Sequence, residues 1–211
     1  NPLILYGQGA CAVDARFYRD DAAMSGETAP ARSMPDSLLD IHSIAVVGAS
    51  QDPGKIGYAI CRNLLTFPGE LYPVNPRSPE ILGKTAYPDL ASIPGTVDLA
   101  VIAIPPAGVP RVIEDAGKKK VPLCVIITSG FREGGGEGRN LEEDILAIAQ
   151  RHGMRIMGPN CLGLMLPHKG INTTFDPVSP RPGRIAFISQ SGAIITTIVD
   201  WSLPEEIGFS A

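Results

Sequence analysis

Five short apolar runs separated by segments of helical period are what most narrow the fold of this chain. The runs are residues 44–47 (IAVV), 71–74 (LYPV), 99–104 (LAVIAI), 124–127 (CVII) and 155–157 (RIM). A strand whose successive residues are apolar is buried on both faces, which requires layers on both sides of the sheet. Between the runs, residues 56–65, 109–118 and 141–151 place apolar side chains three and four apart, as at Leu141, Ile145 and Ile148. This alternation predicts parallel strands joined by right-handed helical crossovers. The expected class is therefore α/β, a Rossmann-like doubly wound parallel sheet over residues 36–165.

The flanks read differently. Residues 1–18 carry two apolar runs, 3–6 (LILY) and 10–13 (ACAV), around a glycine turn, the pattern of a hairpin. Residues 19–35 have no periodicity and read as a linker. After residue 165 a proline-rich connector (166–183) holds Pro167, Pro177, Pro180 and Pro182. A strand at 184–188 (RIAFI) then leads through Ser189, Gln190, Ser191 and Gly192 into a helical run ending near Trp201. Residues 184–211 thus look like the start of a second α/β unit.

Apolar residues make up 44% of the chain and charged residues 19%, which excludes a disordered or fibrous protein. A net charge of -4 gives no broad basic surface for nucleic acid, so any anion must be held locally. Cys11, Cys61, Cys124 and Cys161 are far apart and form no CxxC pair, pointing away from zinc or a disulfide framework and towards a reducing, cytoplasmic setting. No apolar run approaches the roughly 18 residues that span a bilayer.

Ligands of doubly wound folds bind at the carboxyl ends of the strands. The first strand ends in Gly48, Ala49 and Ser50, followed by Lys55 and Gly57, a glycine-rich turn that lets backbone amides approach a pyrophosphate. Its spacing is not GxGxxG, and a plain strand–helix turn is the alternative reading. The second strand ends in Asn75, Pro76 and Arg77, without the carboxylate that NAD enzymes place there for the ribose hydroxyls. Arg77 suits a phosphate on an adenosine ribose, as carried by coenzyme A and NADP, or else is a solvated surface arginine. Ile104, Pro105 and Pro106 end the third strand and Ser129, Gly130 and Phe131 the fourth, giving the rim apolar faces that suit a pantetheine arm.

Taken in order, residues 43–50 (SIAVVGAS), 74–76 (VNP), 98–105 (DLAVIAIP), 158–163 (GPNCLG) and 188–192 (ISQSG) resemble the alpha part of ADP-forming acetyl-CoA synthetases, NDP-forming acyl-CoA ligases related to succinyl-CoA synthetase. The resemblance covers residues 36–211 and implies a CoA-binding domain followed by the start of a flavodoxin-like ligase domain. Residues 1–3 (NPL) and 12–16 (AVDAR) resemble the last hairpin of the ATP-grasp beta part of the same enzymes. In that family an asparagine and an aspartate there help hold nucleotide-bound Mg²⁺, matched here by Asn1 and Asp14; a plain edge hairpin is the alternative.

The resemblance implies a reversible conversion of a carboxylic acid, CoA and ATP into acyl-CoA, ADP and phosphate through an acyl phosphate and a phosphohistidine. His42, His152 and His168 do not match the phosphohistidine, which is expected beyond residue 211, so the chain by itself is expected to be inactive. Ser189, Gln190, Ser191 and Gly192 match the segment that cradles the phosphohistidine, and Asn160 lies by the same comparison near the meeting of acyl phosphate and CoA thiol. The implied partners are CoA, a carboxylic acid, and the remaining ATP-grasp and ligase modules; whether the protein forms a homo-oligomer stays open. Two other readings stay open: a CoA-sensing region of a protein acetyltransferase, and an NAD-binding redox repressor. The repressor would need a basic winged helix, which the acidic linker does not supply.

Overall fold

The computed structural model describes residues 3–6, 9–12 and 40–211. Strands β1 (Leu3–Tyr6) and β2 (Gly9–Ala12) pair antiparallel, Leu3 opposite Ala12, as the expected hairpin requires. Asn1, Asp14 and the linker over 19–35 lie outside the described residues.

The five apolar runs become one parallel sheet. Its strands are β3 (Ser43–Val47), β4 (Glu70–Val74), β7 (Leu99–Ile102), β8 (Leu123–Ile126) and β9 (Arg155–Met157), in the spatial order β4-β3-β7-β8-β9. Burial on both faces follows from the strict alternation of side chains. Ile44, Val46, Leu99, Val101, Leu123 and Val125 face one side with Ile60 and Leu64. Ala45, Val47, Ala100, Ile102, Cys124 and Ile126 face the other with Ile113 and Ile145. Helix α1 (Ile56–Asn63) covers the first face, and α2 (Val109–Lys118) and α3 (Gly136–His152) cover the second.

The crossover from β4 to β7 holds only the small hairpin β5 (Glu80–Ile81) and β6 (Lys84–Thr85), followed by a loop. Leu90, Ile93 and Val97 of that loop pack into the second core and do a helix's covering work. At the start of β7, Asp98 Oδ2 accepts hydrogen bonds from the backbone N–H groups of His42 and Ser43 and from Ser43 Oγ, all at 2.9 Å, pinning β7 to β3.

Two boundaries differ from the periodicity. Helix α3 begins five residues before Leu141, through glycines that disfavour helix. A Cβ on Gly138 would stand 1.8 Å from the carbonyl oxygen of Phe131, so close packing on the preceding turn, not propensity, selects glycine there. The strand expected at 184–188 is β12 (Arg181–Ile185), set earlier by its parallel pairing with β13 (Gly208–Phe209), and Ile188 is 94% exposed. Helix α4 (Gly192–Ser202) starts where expected. Between the sheet and this unit, β10 (Met165–Leu166) and β11 (Ile171–Asn172) form a short antiparallel pair whose Leu166 and Ile171 close the first core.

Candidate functional site

In the order β4-β3-β7, the chain leaves β3 for α1 on one face and leaves β7 for α2 on the other. The diverging loops open a crevice beyond the carboxyl ends of those strands, the topological switch point where open α/β sheets bind ligands. A cleft of about 740 Å³ lies there.

Gly48 makes its floor possible. It adopts φ 93°, and a Cβ would lie 2.2 Å from the carbonyl oxygen of Ala103, so only glycine lets the first turn pass against the end of β7. Ser50 Oγ accepts from the N–H of Asp52 at 3.0 Å, and Asp52 Oδ1 from the N–H of Gly54 at 2.9 Å, stapling the loop that delivers Lys55 to the start of α1. Across the cleft, Asn75 Nδ2 donates to the carbonyl of Ala49 at 2.8 Å, and its Oδ1 accepts from the N–H of Arg77 at 2.7 Å. Asn75 therefore ties the first two strand tips together, its polar atoms spent on the backbone.

Three cations line this cleft: Lys55, Arg77 and Arg111. Among the described residues none of their side chains makes a hydrogen bond or an ion pair. Asp89 is held below the usual carboxylate range chiefly by hydrogen bonds from Ser92, with Arg111 adding a smaller electrostatic contribution. Val47, Val74, Leu90, Ile104 and Val112 supply apolar wall. Asp89 and Asp115 line the cleft as well. Cations whose side chains form no hydrogen bond or ion pair, beside apolar surface, fit a ligand that carries several phosphates and an apolar arm.

A second cleft, of about 530 Å³, lies farther along the same rim, at the ends of β8 and β9 and the start of α4. Asn160, in a left-handed backbone conformation (φ 53°) that asparagine tolerates, donates its N–H to the carbonyl of Thr128 at 2.9 Å. Its side chain lines the cleft with Ser129, Gln190, Gly192 and Thr196. Ser189 Oγ accepts from the N–H of Ser191 at 3.0 Å, shaping the turn into α4.

The sites read from sequence thus divide. Gly48, Ala49, Ser50, Lys55, Asn75, Pro76, Arg77, Ile104 and Pro105 line the first cleft, and Ser129, Asn160, Gln190 and Gly192 the second. Ser189 and Ser191 stand beside the second without lining it. Pro106 and Gly130 meet on the rim between the clefts, a Cβ on Gly130 falling 3.1 Å from Pro106 Cγ. Two residues expected at the cofactor are internal. Phe131 is fully buried, its ring filling the core between the sheet and α3, and Gly57 is buried in the first turn of α1 against the carbonyl of Gly48. Arg111 and Asp115, four residues apart on α2, line the first cleft without any local motif to mark them, and Phe175 enters the second from a loop.

Cys161 lines the second cleft, and its thiol donates to the carbonyl of Ile126 at 3.3 Å; burial pushes its pKa up to about 11. At pH 8 roughly one thiol in a thousand is then thiolate, the reactive form. Cys161 is expected to alkylate with iodoacetamide at least about 100-fold more slowly than a free cysteine, read peptide by peptide by mass spectrometry. Alkylation at the free rate would show an activated thiol. Among the described residues no group of three or more His, Cys, Asp or Glu could hold a metal ion, and no helix is long and apolar enough to cross a membrane.

A cleft at the switch point of a parallel α/β sheet, lined by Lys55, Arg77 and Arg111, is the arrangement of the nucleotide- and cofactor-binding α/β class. The chain belongs to the CoA-binding domain family, whose pattern it matches over residues 42–167. It is 46% identical over 167 residues to ADP-forming acetate–CoA ligase I of Archaeoglobus fulgidus, covering 79% of this chain and 24% of that protein. It is likewise 46% identical over 178 residues to the alpha subunit of ADP-forming acetate–CoA ligase II of Pyrococcus furiosus, covering 84% of this chain and 39% of the subunit. The chain therefore spans between a quarter and two fifths of the length of these curated relatives. Among solved structures, acetyl-coenzyme A synthetase 1 of Ca. Korarchaeum cryptofilum, in complex with phosphate and ADP, superposes with a TM-score of 0.76 at 45% identity, covering 80% of this chain and 36% of that one. A Pyrococcus horikoshii protein superposes at 0.80 with 44% identity, covering 84% of this chain and 41% of that one.

Proposed function

We propose that this chain is the CoA-binding portion of an NDP-forming acyl-CoA ligase, which joins a carboxylic acid to CoA at the expense of ATP and releases ADP and phosphate. The observation that carries this reading is the convergence of Lys55, Arg77 and Arg111 on one switch-point cleft, where none of their side chains makes a hydrogen bond or an ion pair among the described residues. CoA brings a pyrophosphate, a ribose phosphate and an apolar arm, and the cleft offers a partner for each. Lys55 and the turn at Gly48, Ala49 and Ser50 would hold the pyrophosphate, and Arg77 the ribose phosphate. Pro105 and Ile104 would guide the arm along the rim.

In this reading Asn160 lies where the thiol end arrives. Ser191 and Gly192 open α4, whose N-terminal amides favour a phosphate by roughly 0.3–1 kcal/mol when exposed and up to about 2 kcal/mol when partly buried. Residues 1–18 belong to an ATP-grasp module, with Asn1 and Asp14 as its Mg²⁺ oxygen ligands. Residues 19–35 serve as linker, 36–165 as CoA-binding domain, 166–183 as connector and 184–211 as the opening of a flavodoxin-like ligase domain. The free thiols of Cys61, Cys124 and Cys161 agree with a cytoplasmic setting.

Titration calorimetry of the chain with CoA, NAD and NADP tests the reading. CoA is expected to bind tightest, with affinity falling as salt rises because the contacts are to phosphates. Tighter binding of NAD than of CoA would refute it.

A further inference from the structure

Pro105 and Pro106 follow Ile104 at the end of β7 and carry no backbone N–H, so this strand tip cannot extend the ladder that holds the strand itself. Ile104 and Pro105 nevertheless form part of the wall of the first cleft. A hydroxyl from the neighbouring strand tip holds them there. Thr128, just beyond the end of β8, donates its Oγ1–H to the carbonyl of Ile104 at 2.8 Å, with the carbonyl of Ile102 farther off at 3.4 Å. The same residue serves its other neighbour. The backbone carbonyl of Thr128 accepts the N–H of Asn160, which follows β9, at 2.9 Å. Thr128 thus ties the tips of β7, β8 and β9 in a row, although it is half-buried and lines neither cleft itself.

The segment after Thr128 is fixed by other means. The N–H of Gly130 donates to Glu133 Oε1 at 2.7 Å, and Gly130 sits against Pro106. Those contacts hold the outer rim, whereas the Thr128 hydroxyl acts on the carbonyl of Ile104, between the two clefts. A half-buried carbonyl that loses its donor turns towards water, and a strand tip ending in two prolines has little to oppose that turn. A ligand held by its phosphates at Lys55 and Arg77, with its arm running along Ile104 and Pro105 towards Asn160, crosses the line of contacts that Thr128 makes. Side chains that meet a ligand are only as well placed as the residues that support them.

We infer that Thr128 is a positioning residue for the pantetheine arm of CoA, its hydroxyl aligning the end of β7 with Asn160 so that the arm is met on both sides of the rim. This rests on the CoA-binding reading above. The test compares CoA with adenosine 3′,5′-bisphosphate, which keeps the ribose phosphate and one further phosphate of CoA but has no arm. Titration calorimetry is run with both on the wild-type chain, on Thr128→Val, which keeps the branched shape and removes the donor, and on Thr128→Ser, which keeps the donor. Thr128→Val is expected to weaken CoA about fivefold, the contribution of one neutral hydrogen bond, while leaving the bisphosphate within about twofold of wild type. Thr128→Ser should stay within about twofold of wild type for both ligands. Amide hydrogen exchange on the wild-type chain is the second readout: CoA should slow exchange at Ser129, Gly130 and Asn160, and the bisphosphate should not.

Equal weakening of CoA and the bisphosphate by Thr128→Val would mark a packing role and overturns the inference. Unchanged CoA affinity in that variant overturns it too, as does a loss in Thr128→Ser as large as in Thr128→Val. Wild-type exchange at Ser129, Gly130 and Asn160 that CoA leaves unaltered overturns it without any variant, so a variant that circular dichroism shows to be unfolded does not protect it. In each of these results CoA binding by the wild-type chain leaves the CoA reading standing. Absence of CoA binding to the wild-type chain removes both.

Discussion

Replacing Gly57 by alanine is expected to destabilise the chain by about 2 kcal/mol and to weaken CoA binding at least tenfold. Two opposing effects set the sign. Alanine in a helix interior is favoured over glycine by about 1 kcal/mol. Against that, the new methyl would lie 1.9 Å from the carbonyl oxygen of Gly48 and 3.2 Å from the Cα of Ala49. Those are backbone atoms of the turn that floors the first cleft, so neither can rotate aside. Overpacking of this kind costs about 1–3 kcal/mol, and more where backbone must move, so the clash wins. Helix α1 must then lift from the turn, carrying Lys55 away from Gly48 and Ser50. Gly54→Ala is the control, because its Cβ would meet only Asp52 Oδ1, at 3.4 Å. Urea unfolding and calorimetry on both variants read the two effects. Should Gly57→Ala match Gly54→Ala in stability and affinity, the close approach of α1 to the turn has no bearing on the site.

Arg77→Ala is expected to weaken CoA roughly 10- to 100-fold while leaving dephospho-CoA within about twofold of wild type. A hydrogen bond to a charged group contributes about 1.5–3 kcal/mol, and each 1.4 kcal/mol is about tenfold in affinity. Because Arg77 is exposed, the lower end of that range should apply at physiological salt, where its charge is partly screened. Lys55→Ala, at the turn assigned to the pyrophosphate, is expected to weaken both ligands alike. The pair of variants therefore separates the two phosphate positions. If Arg77→Ala weakens CoA and dephospho-CoA equally, Arg77 does not meet the ribose phosphate.

Both variants touch features that were legible in sequence to different degrees. The five strands, the faces of their helices and the positions of Gly48 and Arg77 at strand tips follow from periodicity and glycine placement. Periodicity records how each residue is buried, and burial on both sides leaves few folds open. Asn75 was legible as a site residue but not in its role, since only the approach of two strand tips shows that its amide is spent on Ala49 and Arg77. Phe131 followed a strand tip in sequence and so read as rim. The start of α3 turns its ring inward instead, where an aromatic side chain is worth more to the core than to a solvent-facing loop.

The sequence by itself determined the five strands of the parallel sheet and the three helices that cover it, and that a glycine turn followed by a cation begins the domain. The order β4-β3-β7, which opens the crevice, was decided by tertiary structure, because no local pattern states which buried strand lies beside which. The same holds for Arg111, whose place in the cleft depends on how α2 lies across the sheet. It holds also for Phe175, exposed beside buried threonines because Asn63, more than a hundred residues earlier, holds its backbone in place. Contacts between residues so distant in sequence are fixed by the packing of whole layers, and that information exists only once the layers meet.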